Sequence, residues 1–71
     1  MLRLKQERLR RGWTLVEVTK RTGLEPSLVS QIERGLRVPY PVWRRRIAKA
    51  FKMSEEELFS EVKDSDAASS L

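Results

Sequence analysis

The 71-residue chain contains no cysteine and no histidine. Without cysteine there is no disulfide framework and no thiolate metal site. Without histidine the commonest general base and the commonest neutral metal ligand are both missing. The serines have no base of suitable pKa beside them, no pair of carboxylates falls in a recognisable active-site motif, and no glycine-rich phosphate loop is present. An enzyme is not expected, and neither is a cofactor, a metal or a small-molecule ligand. No apolar run approaches the roughly 18 residues of a membrane span, and the N-terminus lacks the apolar centre of a signal peptide, so the expected location is the cytoplasm. A chain this short buries only about 60% of its unfolded surface, which predicts one domain with an economical core.

Acidic residues are scarce over most of the chain. Fifteen lysines and arginines stand against 10 acidic residues, for a net charge of +5. Residues 1–52 hold 14 basic and 4 acidic side chains, a net of +10, whereas residues 53–71 hold one basic and 6 acidic, a net of −5. A cationic body with an acidic end points to a polyanion as partner for the body; a merely solvated charged surface is the plainer reading.

Glycine and proline are limited to Gly12, Gly23, Gly35, Pro26, Pro39 and Pro41. Each glycine follows a stretch with helical spacing, where it serves as a C-terminal stop. Nowhere do apolar residues alternate with period two over strand length, so the pattern predicts five helices and no sheet. The first helix runs from Leu2 to Arg11, with Leu2, Leu9 and Trp13 on one face and Leu4 and Arg8 pointing elsewhere. Thr14 and Glu17 form a capping box that opens the second, along which Leu15, Val18, Thr19 and Thr22 share a face before Gly23. The third opens at Pro26 and runs to about Arg34. Its inward residues are Val29 and Ile32, with Leu36 as an anchor beyond the end. The fourth follows Pro39 and Pro41 with Trp43, Ile47, Ala48 and Phe51 as its apolar side. A second capping box, Ser54 and Glu57, opens a short last helix that includes Leu58 and Phe59. Residues 1–61 form the domain, and 62–71 read as a flexible acidic and polar tail.

The third helix carries a second stripe, Ser27, Ser30, Gln31 and Arg34, which is polar and free of acidic residues. Three residues, Gly23 to Glu25, separate it from the second helix, the turn length of a helix-turn-helix unit. A protruding helix with small polar side chains fits the B-DNA major groove, about 12 Å wide, and Arg34 and Arg37 flank it within reach of the sugar-phosphate backbone. Gln31 is the first candidate for direct readout, because a glutamine amide bonds N6 and N7 of adenine, worth about 1–3 kcal/mol of discrimination. Its alternative is an exposed glutamine that makes only a helix-face contact. The consecutive Arg44, Arg45 and Arg46 point in three directions and cannot form one clamp. They read as a solvated face with one phosphate contact, as do Arg10 and Arg11. Trp13 and Trp43 read as core. Tyr40, Trp43 and Phe59 can alternatively make a dimer seam. Glu55, Glu56 and Glu57 supply favourable charge at a helix N-terminus and would keep that helix away from DNA.

The stretch TLVEVTKRTGLEPSLVSQIERGLRVP resembles the Cro/repressor type (XRE) helix-turn-helix family. Its specific parts are SQIERG, the proline four residues past that glycine, and IAKAF further on; the resemblance spans about residues 4–59. It implies an all-α, five-helix, lambda-repressor-like DNA-binding domain. By position, Pro26, Ser27, Ser30 and Gln31 correspond to the base-facing residues, with Pro26 limited to apolar contact. Arg8 and Glu33 match a partly buried ion pair tying the first helix to the end of the recognition helix. Thr14, Arg37 and the backbone from Gly35 to Val38 lie where the family meets phosphate. Three positions depart from the family: Leu15 replaces a phosphate-binding glutamine, Thr19 a small alanine, and Arg44 an apolar core residue. The function so implied is that of a transcriptional regulator, a repressor bound to double-stranded DNA as a homodimer on a palindromic operator. The rivals are an antitoxin-type protein-interaction module and a non-specific DNA- or RNA-binding protein.

Overall fold

The computed structural model describes residues 1–63. Five helices follow in order: α1 (Arg3–Arg10), α2 (Leu15–Thr22), α3 (Pro26–Glu33), α4 (Pro41–Phe51) and α5 (Glu55–Leu58). The predicted all-α class and helix count both hold. The core is Leu4, Val18, Leu24, Val29, Ile32, Ile47, Phe51 and Leu58, with Trp13, Trp43 and Phe59 half-buried around it. Helix α2 packs on both α3 and α4, while α5 bridges α4 and α1. Strand geometry is limited, among the described residues, to one antiparallel bridge between Leu2 and Glu61. There the Met1 ammonium donates to the Val62 carbonyl at 2.9 Å, and the Val62 N–H returns to the Met1 carbonyl at 2.8 Å. Val62 is therefore tied down; residues 64–71, most of the expected tail, lie outside the described residues.

The helix signals act locally as their chemistry dictates. Thr14 Oγ1 accepts the Glu17 N–H at 3.0 Å, but the Glu17 carboxylate pairs with Arg21 at 2.9 Å instead of returning to the cap. Only half of that capping box is made. Gly23 adopts φ 78°, where its N–H closes α2 on the Thr19 carbonyl at 2.7 Å. At the end of α3 the N–H groups of Gly35 and Leu36 donate to the carbonyls of Ile32 and Gln31 at 3.1 and 2.8 Å. That double closure is a Schellman ending, and it turns the chain outward. The expected anchor Leu36 is for this reason 69% exposed, holding α3 by its backbone and not by its side chain.

Helix α1 is oriented differently from its apolar pattern. Leu4 is fully buried and Leu9 is half exposed. The inward stripe is Leu4, Glu7, Arg8 and Arg11, so three of its four members are charged, and apolar spacing could not reveal it. Glu7 accepts from Arg10 Nη2 at 2.8 Å and from Arg11 Nη1 at 2.6 Å. Arg11 Nη2 also donates to the Phe51 carbonyl at 2.9 Å, at the negative end of α4. Its guanidinium sits 5.4 Å from the Trp13 ring and 5.0 Å from the Phe51 ring. Arg11 is thus a structural cation, not a solvated one.

The Arg10 hydrogen bond, with further help from the charge of Arg10 and the bond from Arg11, holds the Glu7 carboxyl below the ordinary glutamate range, against burial, which pushes it up. A carboxyl whose folded pKa is depressed stabilises the fold above its unfolded value, about 4.3, and loses that contribution as pH falls through the folded value. The urea midpoint should therefore hold from neutral pH to about 5 and fall below about 4. Glu7→Gln should flatten part of that acid limb; an unchanged limb would remove Glu7 from the account.

Thr19 supplies a second stability prediction. Its Oγ1 is buried without a hydrogen-bond partner, and an unsatisfied buried hydroxyl costs about 1–3 kcal/mol. Thr19→Ala should raise the melting temperature by about 4–8 °C, equivalent to about 1 kcal/mol. A lower melting temperature would show that the threonine methyl matters more than its hydroxyl.

Candidate nucleic-acid interface

Helix α3 is built to show one side. Pro26 at its first turn needs no N–H partner, and Val29 and Ile32 are buried against the core. On the other side Ser27 and Arg34 are exposed, while Pro26, Ser30 and Gln31 are half-buried. No acidic side chain interrupts that outer stripe, because the helix's one carboxylate, Glu33, turns inward and is 7% exposed.

Glu33 fixes the far end of α3. Arg8 Nε donates to its Oε2 at 2.7 Å and Arg8 Nη2 to its Oε1 at 3.2 Å, a two-pronged pair joining α1 to α3. Arg8 Nη1 adds a bond to the Trp13 carbonyl at 3.0 Å. Trp13 in turn meets Phe51 edge to face at 5.0 Å and carries the Arg21 guanidinium 4.1 Å above its ring. The last turn of α3 is thus held by the Arg8–Glu33 charge pair as well as by Ile32, and Arg8 is itself anchored on the Trp13 carbonyl.

Around the stripe, the other candidate contacts fall as follows. Thr14 is exposed at the N-terminus of α2. Its oxygen already accepts the Glu17 N–H, and the hydroxyl proton stays available to an acceptor. Arg34 is exposed just beyond α3. Arg37 is exposed as well, but its Nε donates to Gln31 Oε1 at 3.2 Å and its guanidinium lies 5.9 Å from the Trp43 ring. Sequence spacing gave no signal for that link, because Gln31 and Arg37 lie on either side of the Gly35 turn.

The triple arginine splits three ways. Arg44 is drawn to α5, with Nε 3.2 Å from Glu55 and the guanidinium 4.9 Å from the Phe59 ring. That arrangement explains how an arginine occupies a position expected to be apolar: the ring receives it and the carboxylate neutralises it. Arg45 is exposed, and Arg46 lies near Gly23 in the α2–α3 turn. Tyr40 stacks on Trp43 with ring centres 4.4 Å apart, whereas Phe59 is covered by Arg44.

Residues 2–59 match the family described as Helix-turn-helix domain. The chain belongs to that family. The match takes in all five helices, with α2 and α3 as the motif, and agrees with the XRE type. No curated protein and no solved structure matches the chain. As a helix-turn-helix protein it is a DNA-binding domain. No helix among the described residues is long and apolar enough to cross a membrane.

Proposed function

We propose that this helix-turn-helix protein is a sequence-specific transcriptional regulator, a repressor, that places α3 in the major groove of double-stranded DNA. In this reading Pro26, Ser27, Ser30 and Gln31 face the bases, Thr14 and Arg34 approach the sugar-phosphate chains, and Arg37, expected among the phosphate contacts, is instead drawn beside Gln31. Arg8 and Glu33 do not touch DNA; they hold the end of α3 at a fixed height above the core. The observation that carries the reading is the outer stripe of α3, uncovered and without a carboxylate on a body that is strongly cationic. Base edges and phosphates present acceptors that serine, amide and guanidinium donors satisfy.

Repression follows from occlusion, since a promoter covered by protein is closed to polymerase. A homodimer suits this role, because two copies related by a two-fold axis read half-sites about 34 Å apart. The exposed apolar run Leu36, Val38, Tyr40 and Val42, directly after α3, favours a protein neighbour at that edge. The same run is what supports the second reading, an antitoxin-type module that grips another protein.

Selection from random duplex DNA, followed by sequencing, tests the proposal. The expected product is a palindromic motif with half-sites one helical turn apart. A pool without an enriched motif contradicts it. Arg34→Ala should weaken binding to all sequences alike and lower the salt slope by about one unit. An unchanged slope would take Arg34 off the phosphate contacts.

A further inference from the structure

The bond between Arg37 and Gln31 bears on which base α3 selects. An arginine nitrogen only donates, so the amide atom 3.2 Å from Arg37 Nε must be the Gln31 oxygen, and the amide orientation is fixed by chemistry. The Gln31 oxygen therefore points at a protein donor, and its NH2 group is the end left to meet a ligand. The two Nη groups of Arg37 have no protein partner among the described residues. The guanidinium also lies 5.9 Å from the centre of the Trp43 ring, itself stacked on Tyr40. Together, the amide and the guanidinium present mostly donors, because the one acceptor, the Gln31 oxygen, already receives the Arg37 N–H.

A glutamine with both ends free matches adenine, whose groove edge offers an acceptor, N7, and a donor, N6–H2. An edge rich in donors, with its one acceptor oxygen already engaged by Arg37, is a poor match for that pattern. Guanine offers two acceptors, N7 and O6, and does. We propose that Gln31 and Arg37 form one composite reader that selects guanine, with Arg37 a specificity-determining residue and Trp43 a positioning residue that holds its guanidinium plane. This inference rests on the proposed reading of DNA by α3.

The test is selection from random duplex DNA with the full chain, run in parallel for the parent, Gln31→Ala and Arg37→Ala. The parent should prefer guanine over adenine by about 10-fold at one position per half-site, a position that Gln31→Ala makes degenerate. Arg37→Ala releases the Gln31 oxygen, and the preference at that same position should turn to adenine. Arg37→Met, which keeps the stem against Trp43 and deletes the donors, should give the same switch and guards against a folding effect of the alanine. A motif unchanged in base identity but bound more weakly by both Arg37 variants would make Arg37 a phosphate contact and overturn the composite reader. Adenine already preferred by the parent at the Gln31 position would overturn it too. A parent that enriches no motif removes the DNA-reading role of α3, and the guanine assignment with it; this failure is distinct because it appears before any substitution is made.

Discussion

Arg8→Ala is expected to destabilise the domain by about 3–5 kcal/mol, the cost of leaving one member of a buried pair without its counter-charge. The side chains of Arg8 and Glu33 are 11% and 3% exposed, so water cannot replace the guanidinium without opening the α1–α3 contact. The substitution also removes the bond to the Trp13 carbonyl. At roughly 0.05–0.15 kcal/mol per residue a domain of this size has only about 4–10 kcal/mol in all. The variant should therefore melt at least about 12 °C below the parent, given about 4–8 °C per kcal/mol for a small domain. Replacing both partners, Arg8→Met with Glu33→Leu, should recover much of the loss, because an apolar pair leaves no buried charge behind. Thermal unfolding followed by circular dichroism checks all three proteins. An Arg8→Ala variant that melts within about 2 °C of the parent would show that the pair contributes little to holding α3.

Ser27→Glu should separate folding from DNA binding by moving them in opposite directions. Ser27 is exposed in the first turn of α3, whose cap residue, Glu25, makes no side-chain cap bond. A carboxylate there favours the helix by about 0.3–1 kcal/mol through the helix dipole. In the groove the same carboxylate meets phosphates, and like-charge juxtaposition costs several kcal/mol. The melting temperature should hold or rise slightly, while affinity for the selected duplex falls by about 100-fold or more. Ser27→Ala, which adds no charge, should lose far less. Binding by Ser27→Glu at parental strength would place the DNA on another face of the molecule.

The parts of the fold legible in the sequence were those set by backbone chemistry. Thr14, Ser54, Pro26, Pro41 and Gly23 each mark a helix boundary because a cap, a missing N–H or a left-handed φ is a local requirement. The inward pair Val29 and Ile32 was legible from spacing alone. Helix α1 was not, since its buried stripe is charged: Glu7 is satisfied by Arg10 and Arg11 one turn on, and Arg11 by the Phe51 carbonyl, a partner that only the tertiary fold supplies. Helix α4 ends on Lys52 at φ 56°, a left-handed residue that carries no glycine signal.

The candidate site divides in the same way. The polar stripe could be read from helical spacing, whereas the role of Arg44 depends on Glu55 and Phe59, eleven and fifteen residues away in sequence. The Arg37–Gln31 bond depends on the outward turn at Gly35, and the adenine expected for Gln31 assumed an amide with its oxygen free.

Titration of the isotope-labelled protein with the selected duplex, followed by backbone amide NMR, tests most directly whether α3 is the reading element. The largest shifts should fall on residues 26–37 and around Thr14, with α5 little changed. Shifts concentrated on α5 or on Leu9 and the outer side of α1, with α3 unmoved, would contradict it.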